Sequence, residues 1–440
     1  MNMTWDRGTL VFPADAPVGE LPGVRWDPRA GVWRAPGRFH APLREALGVP
    51  WRPLPLRAPP AVEPPALREY QEDALAAWEL AGCRGVIVLP TGAGKTRVAT
   101  AAIARSRLRT LCVVPTRALL EQWVRVLADA GLAPGVFGDG ERREAPVTIA
   151  TYASARLYAE GLGDRFDLLV VDEAHHFGGS SNEILEMSIA GRRLGLTATP
   201  PDGDRLAVLT DLLGPIVWHQ VIADLAGEWL APFEVVTLTI PLDPAEQAAV
   251  TAEDAVWKPV VRAFFDGAPG ASWADLVRTA QRTQEGQRVL AAWRRSRAIA
   301  GFSSGKREAV RRLVARRPQA RILVFTPDNT AAYALSRELL VPAITCDIGR
   351  GERARVLEAF AAGRVRILVS ARVLNEGVDV PAADIAILLG GSQGAREYVQ
   401  RVGRILRPAE GKQAFVYELV TRGTTEGARV EQHRGHLAGR

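Results

Sequence analysis

The feature that most constrains this chain is a Gly-rich loop set between an apolar run and a helical pattern. Val86-Ile87-Val88 leads into Leu89-Pro90-Thr91-Gly92-Ala93-Gly94-Lys95-Thr96, and a helical spacing begins at Arg97. A strand that enters a tight small-residue turn and leaves as a helix commits its surroundings to a β–loop–α unit. Such units assemble into parallel sheets covered on both faces. The small residues let backbone N–H groups close around phosphate oxygens, and the helix N-terminus adds partial positive charge. Thr91, Gly92, Ala93, Gly94, Lys95 and Thr96 are therefore candidate ligands for the phosphates of ATP. In such a loop Lys95 would reach the β- and γ-phosphates and Thr96 would ligate Mg²⁺.

Composition sharpens the reading of Lys95. The chain has 55 Lys plus Arg against 49 Asp plus Glu, and only Lys95, Lys258, Lys306 and Lys412 are lysines. Where nearly every cation is Arg, a Lys marks a place that needs a compact ammonium. The net charge of +6 over 440 residues is weak evidence for a polyanionic partner. Cys83, Cys112 and Cys346 are far apart, which suits a reducing compartment and excludes a four-cysteine iron–sulfur cluster. No run approaches the roughly 18 apolar residues of a membrane span, and Met1-Asn2-Met3-Thr4-Trp5-Asp6 lacks a signal-peptide pattern. A cytoplasmic protein is expected.

The chain changes texture three times. Residues 1–64 carry most of the 13 prolines that the first 65 residues take from a total of 30, together with Trp5, Trp26, Trp33 and Trp51. Val24 to Trp33 reads as two short strands around a Pro/Gly turn, and the proline-rich stretch from Trp51 reads as a linker. These residues form an accessory domain, in which Trp26, Trp33 and Phe39 beside Arg25, Arg34 and Arg38 either contact nucleic acid or build a small core. Residues 65–224 alternate apolar runs with helical patterns, as do residues 305–440, so two parallel-sheet α/β lobes are expected. Between them, residues 225–304 read as a connector and a helical insert. The basic stretch 306–317 either tracks phosphates or is a solvated face.

Two further constellations fit a triphosphate chemistry. Leu168-Leu169-Val170-Val171-Asp172-Glu173-Ala174-His175 puts two carboxylates at the end of an apolar strand, where they are costly without a cation. Asp172 is the candidate Mg²⁺ partner and Glu173 the group that polarises an attacking water. In Gln400-Arg401-Val402-Gly403-Arg404-Ile405-Leu406-Arg407, Arg404 and Arg407 share a helix face and suit arginine fingers on a γ-phosphate.

Taken in order, these segments resemble the superfamily-two helicases over residues 66–421. The series is Leu67-Arg68-Glu69-Tyr70-Gln71, the phosphate loop, Pro115-Thr116-Arg117, Asp172-Glu173-Ala174-His175 and Leu196-Thr197-Ala198-Thr199-Pro200. It continues with Val324-Phe325-Thr326, Gly377-Val378-Asp379-Val380-Pro381 and the arginine segment. Glu121-Gln122-Trp123, Gly403-Arg404-Ile405-Leu406-Arg407 and Tyr417-Glu418-Leu419-Val420-Thr421 make it most similar to the XPB branch of DNA repair helicases. That resemblance implies two tandem RecA-like lobes, a damage-recognition-like N-terminal domain and a thumb-like insert.

The same resemblance assigns further residues. ATP and Mg²⁺ would sit between the lobes, with Gln71 near the adenine and Gly377, Asp379 and Gln400 completing the site. Pro115, Thr116, Arg117, Thr151 and Ser370 would meet a nucleic-acid backbone, while His175, Thr197 and Thr199 would couple the two ligands. The implied activity is ATP-dependent movement on, or unwinding of, single-stranded or forked DNA in repair, largely independent of sequence. An RNA helicase of the same superfamily, or a duplex translocase that separates no strands, stays open. One departure stands out: the Arg-Glu-Asp triplet of the XPB branch is replaced here by the Pro201-Asp202-Gly203-Asp204-Arg205 stretch.

Overall fold

A computed structural model describes residues 3–48, 57–178, 182–371, 383–390, 394–405, 412–435 and 437. The chain forms two compact units that divide between Val221 and Ile222. No helix among the described residues is long and apolar enough to cross a membrane.

The first unit opens with a four-stranded antiparallel sheet in the order Thr4–Asp6, Thr9–Phe12, Val32–Pro36, Arg25–Asp27. The strands expected around the Pro/Gly turn are the last two. Leu10, Phe12, Val18, Ala35 and Leu43 fill the core beneath the helix His40–Leu47, with Trp33 and Phe39 packed at its margin. So Trp33 serves the core, whereas Trp26 is 43% exposed and meets it edge-on at 5.2 Å. Two of the three arginines expected there as phosphate contacts are committed to carboxylates. Arg34 pairs with Asp6 at 2.8 Å and Asp27 at 3.1 Å, and Arg38 pairs with Glu186 at 2.8 Å and with Asp211.

Arg38 shows that this small domain is fixed to the lobe behind it. A Cβ on Gly37 would lie 2.1 Å from the Met187 carbonyl oxygen, and one on Gly163 would lie 2.6 Å from the same atom. Trp5 fills the space beside both glycines. The segment that receives the domain is held by Arg193, which is fully buried and donates to the carbonyls of Ser188, Ala190 and Leu212. Gly37→Ala should therefore lower the urea midpoint of the whole unit by the equivalent of about 1–3 kcal/mol, because a backbone carbonyl cannot give way. Gly161→Ala, whose Cβ meets nothing within 4 Å, should leave it unchanged or raised.

The main sheet of this unit has eight strands. Its order is Ile216–His219, Arg84–Val88, Arg192–Thr197, Leu168–Asp172, Thr110–Val114, Val147–Thr151, Gly135–Gly138 and Glu141–Arg143. All pairs are parallel except the last hairpin. The strands Thr110–Val114, Val147–Thr151 and Leu168–Asp172 are buried at every position, which is why 111–114 and 168–171 read as unbroken apolar runs.

The second unit contains a six-stranded, wholly parallel sheet. Its order is Phe233–Ile240, Ala414–Thr421, Ile385–Leu389, Ile322–Phe325, Ile367–Ser370, Ala343–Ile344. Residues 225–240, read from sequence as connector, thus include an edge strand of the second sheet. The insert is helical as expected, with helices Pro244–Gly267, Trp273–Ala280 and Gln284–Gly301. The basic helix Ser304–Arg316 reads as a solvated face: Arg311 and Arg312 both pair with Glu308, and Arg307 pairs with Glu338.

Candidate active site

Sheet register assembles the site. Val88 pairs with Thr197 and Leu196 pairs with Asp172, so the phosphate loop, Thr197 and the acidic pair leave the same sheet edge on three adjacent strands. In parallel α/β sheets that carboxyl edge is where ligands bind.

Gly92 and Gly94 adopt φ values of 88° and 81°, which lets the loop curl without side-chain strain. Gly94 precedes the helix Lys95–Ser106 and supplies no side-chain cap, leaving the first N–H groups facing the loop. Lys95, only 9% exposed, donates to the carbonyls of Leu89 at 3.1 Å and Pro90 at 3.3 Å. The Thr91 hydroxyl is buried with no hydrogen-bond partner among the described residues. A cradle of uncapped N–H groups, one ammonium and one orphaned hydroxyl fits a polyphosphate.

Gln71, expected near the adenine, contacts the phosphate loop. It is 2% exposed, its amide N–H donates to Ala93 O at 2.8 Å, and its carbonyl accepts from Arg68 N at 3.0 Å. Tyr70 also donates to Ala93 O, at 2.8 Å. Both side chains brace the phosphate loop from behind.

Asp172 is 4% exposed and accepts from Trp123 Nε1 at 2.8 Å and Glu173 N at 2.9 Å. Burial, reinforced by the Glu173 charge, raises its carboxyl from 3.8 to about 6. A buried carboxylate this reluctant to ionise, beside Lys95, fits a divalent cation. Glu173 has φ of 50°, an unusual backbone state for a residue with a side chain. Its Oε2 is buried without a hydrogen-bond partner among the described residues, 3.4 Å from His175 Nδ1. Tyr152, which carries no motif signal in the sequence, holds this turn by donating to the carbonyls of Asp172 and Glu173.

The raised carboxyl has a measurable sign. Because the folded value lies above the usual one, the stability linked to Asp172 is fully present below about pH 4 and is lost as pH rises through about 6 in metal-free protein. A cation held by the carboxylate reverses that loss, and its binding requires the deprotonated form. The rise in melting temperature on adding Mg²⁺ with ADP should therefore be larger at about pH 7.5 than at about pH 5. Equal rises at both would contradict a cation on Asp172.

From Glu173 a contact chain leads across the sheet edge. His175, fully buried, shares a 2.9 Å hydrogen bond with Thr197 Oγ1, which donates to Thr199 O at 3.0 Å and accepts from Thr199 N at 3.2 Å. The expected nucleic-acid contacts divide. Thr116, two residues past the strand Thr110–Val114, and Thr151, at the end of the strand paired with it, cap the helices Arg117–Asp129 and Tyr152–Leu157, so both helix N-termini face the same edge as the phosphate loop. Pro115 precedes that cap, and Arg117 pairs with Asp139 at 2.6 Å. Ser370, by contrast, is 1% exposed and its hydroxyl donates to the carbonyls of Ile344 and Ala371. Gln400 and Arg404 lie on the helix Ala395–Ile405; Gly377, Asp379 and Arg407 fall outside the described residues.

Two parallel α/β lobes, one carrying a phosphate loop and an Asp-Glu strand end, define the RecA-like engine of the superfamily-two helicases. Family profiles match in three places. Residues 3–48 match the xeroderma pigmentosum group B helicase damage recognition domain, 65–202 the type III restriction enzyme res subunit, and 305–409 the helicase conserved C-terminal domain. The DNA 3′-5′ translocase XPB2 of Sulfurisphaera tokodaii is 38% identical over 82% of both chains. The DNA 3′-5′ helicase XPB of Mycobacterium tuberculosis is 31% identical over 84% of this chain and 64% of its own. The Hef helicase domain of Pyrococcus furiosus superposes on 83% of this chain and 97% of its own, with a TM-score of 0.53 at 18% identity, which speaks for the fold. The chain belongs to the XPB family.

Proposed function

We propose that this chain is an ATP-dependent DNA motor that translocates 3′ to 5′ and acts in DNA repair. The names of the Sulfurisphaera and Mycobacterium relatives both specify DNA and that direction. The observation that carries the reading is that the phosphate loop, the Asp172-Glu173 pair, Thr197 and the helix N-termini after Thr116 and Thr151 all leave one sheet edge, with His175 lying between Glu173 and Thr197.

In this reading Lys95, Thr91 and the N–H groups after Gly94 bind the phosphates. Thr96 and Asp172 would hold Mg²⁺, which would neutralise charge on the transferred phosphoryl group. Glu173 orients the attacking water and takes its proton; Arg404 and Arg407, from the second lobe, meet the charge that develops on the γ-phosphate. Hydrolysis thus depends on residues from both lobes, which makes relative lobe movement part of each turnover. The domains divide as accessory domain 1–64, first lobe 65–224, connector and insert 225–304 and second lobe 305–440, with Phe233–Ile240 lending its strand to the second sheet.

Translocation along duplex without strand separation is a second reading. Where the XPB branch has its triplet, Arg205 donates to the His175 carbonyl at 3.2 Å and is turned toward the ATPase motif. The test of the main reading is ATP turnover with single-stranded DNA, duplex DNA and RNA. DNA should stimulate it; stimulation by RNA with none by DNA would overturn the proposal.

A further inference from the structure

The helix Ala395–Ile405 carries Gln400 and Arg404, and the rotation of a helix about its own axis sets the direction in which each of its positions faces. Two buried pins set that rotation. Tyr398, 1% exposed, donates its hydroxyl to Glu418 Oε1 at 2.6 Å. Arg401, 3% exposed and held straight by Glu397 one turn earlier on the same helix, lies 5.0 Å over the ring of Phe325 on the neighbouring strand.

Glu418 sits on the strand Ala414–Thr421 and is itself 1% exposed. Its Oε2 accepts from Thr237 Oγ1 at 2.8 Å, on the edge strand, and from the Arg434 guanidinium on the helix Glu426–Gly435. The Tyr398 ring lies 5.8 Å from His433 of that same helix. One carboxylate therefore joins three elements to the arginine-bearing helix.

Stability alone gives little reason for this arrangement. A carboxylate buried so deeply loses more hydration than its partners readily return, and an apolar set of equal volume would often hold the fold as well. What the network does supply is direction, because each hydrogen bond has one good geometry. Burial, aided by the Glu418 charge, pushes the Tyr398 phenol well above its usual range, so the hydroxyl remains a donor at working pH.

We propose that Tyr398, Glu418 and Arg434 are positioning residues for the helix Ala395–Ile405, through which the helix Glu426–Gly435 orients the helix position of Arg404. The proposal rests on the finger role of Arg404 given above. It separates ground-state nucleotide binding, which belongs to the first lobe, from transition-state stabilisation, which needs the second.

The test uses the full chain with Tyr398→Phe, Glu418→Gln and, as reference, Arg404→Ala. ADP affinity, affinity for ADP with aluminium fluoride, kcat, KM and melting temperature are measured for each. Tyr398→Phe and Glu418→Gln should lower kcat and the aluminium fluoride affinity about tenfold, with ADP affinity and KM unchanged, since only an interaction made in the transition state is lost. Should Glu418→Gln also melt early, Tyr398→Phe, which removes a single oxygen, decides the matter. Unchanged kcat in Tyr398→Phe and Glu418→Gln while Arg404→Ala is inactive would overturn the positioning role alone. Full activity in Arg404→Ala would overturn the finger reading and this proposal together.

Discussion

Replacing Glu173 by Gln should lower kcat for ATP about 10²–10⁴-fold and leave ATP affinity within about twofold, the effect of removing a positioned general base. The substitution keeps size and shape, so the strand end and the phosphate loop stay in place. What disappears is one acidic oxygen, and Glu173 Oε2 is a buried carboxylate atom with no hydrogen-bond partner among the described residues. Its neighbour is already committed, since Asp172 accepts from Trp123 and from the backbone. The backbone state of Glu173, at φ 50° and held by Tyr152, aims a residue whose conformation would otherwise relax. Single-turnover hydrolysis and nucleotide binding, measured on the same preparation, separate loss of chemistry from loss of binding. Lys95→Ala should instead weaken both.

Arg404→Ala should cost more, about 10³–10⁵ in kcat, the range in which arginine fingers act. Charge spreads over the γ-phosphate oxygens as the bond breaks, and a guanidinium meets two of them at once. Lys at this position should rescue little, because a single ammonium cannot reproduce the planar fork. ADP affinity should be unaltered, which distinguishes a finger from a residue that merely supports the second lobe. A variant with normal turnover would remove the second lobe from the chemistry.

The sequence made the engine legible because its parts are local. The strand before the phosphate loop, the loop itself and the apolar run before Asp172 each announce a backbone geometry within a dozen residues. Parts that depend on distant partners were not legible. Phe233-Glu234-Val235-Val236-Thr237-Leu238-Thr239-Ile240 has β-branched residues and partial alternation, yet its partner Ala414–Thr421 lies far along the chain. That composition is the signal that could have placed it in the second sheet.

Lysine scarcity pointed to Lys95, and the same reasoning applied to Lys306 would have found a second buried ammonium. Lys306 is fully buried and meets Glu426 at 2.7 Å. Burial pushes its amine below the usual range, partly offset by that glutamate. Arg38 gave no sign that it would bind Glu186 and Asp211 instead of phosphate, because ion pairs of that span have no sequence period. Tyr152 was hidden for a different reason: a tyrosine that braces two carbonyls looks, in one dimension, like any other core residue.

The most direct test of the motor itself is release of streptavidin from biotin at one end of a single-stranded DNA, followed with and without ATP. The account predicts ATP-dependent release from the 5′ end, little from the 3′ end, and none from either in Glu173→Gln. Vigorous ATP hydrolysis on that DNA with no release from either end, or release that needs no ATP, would contradict it.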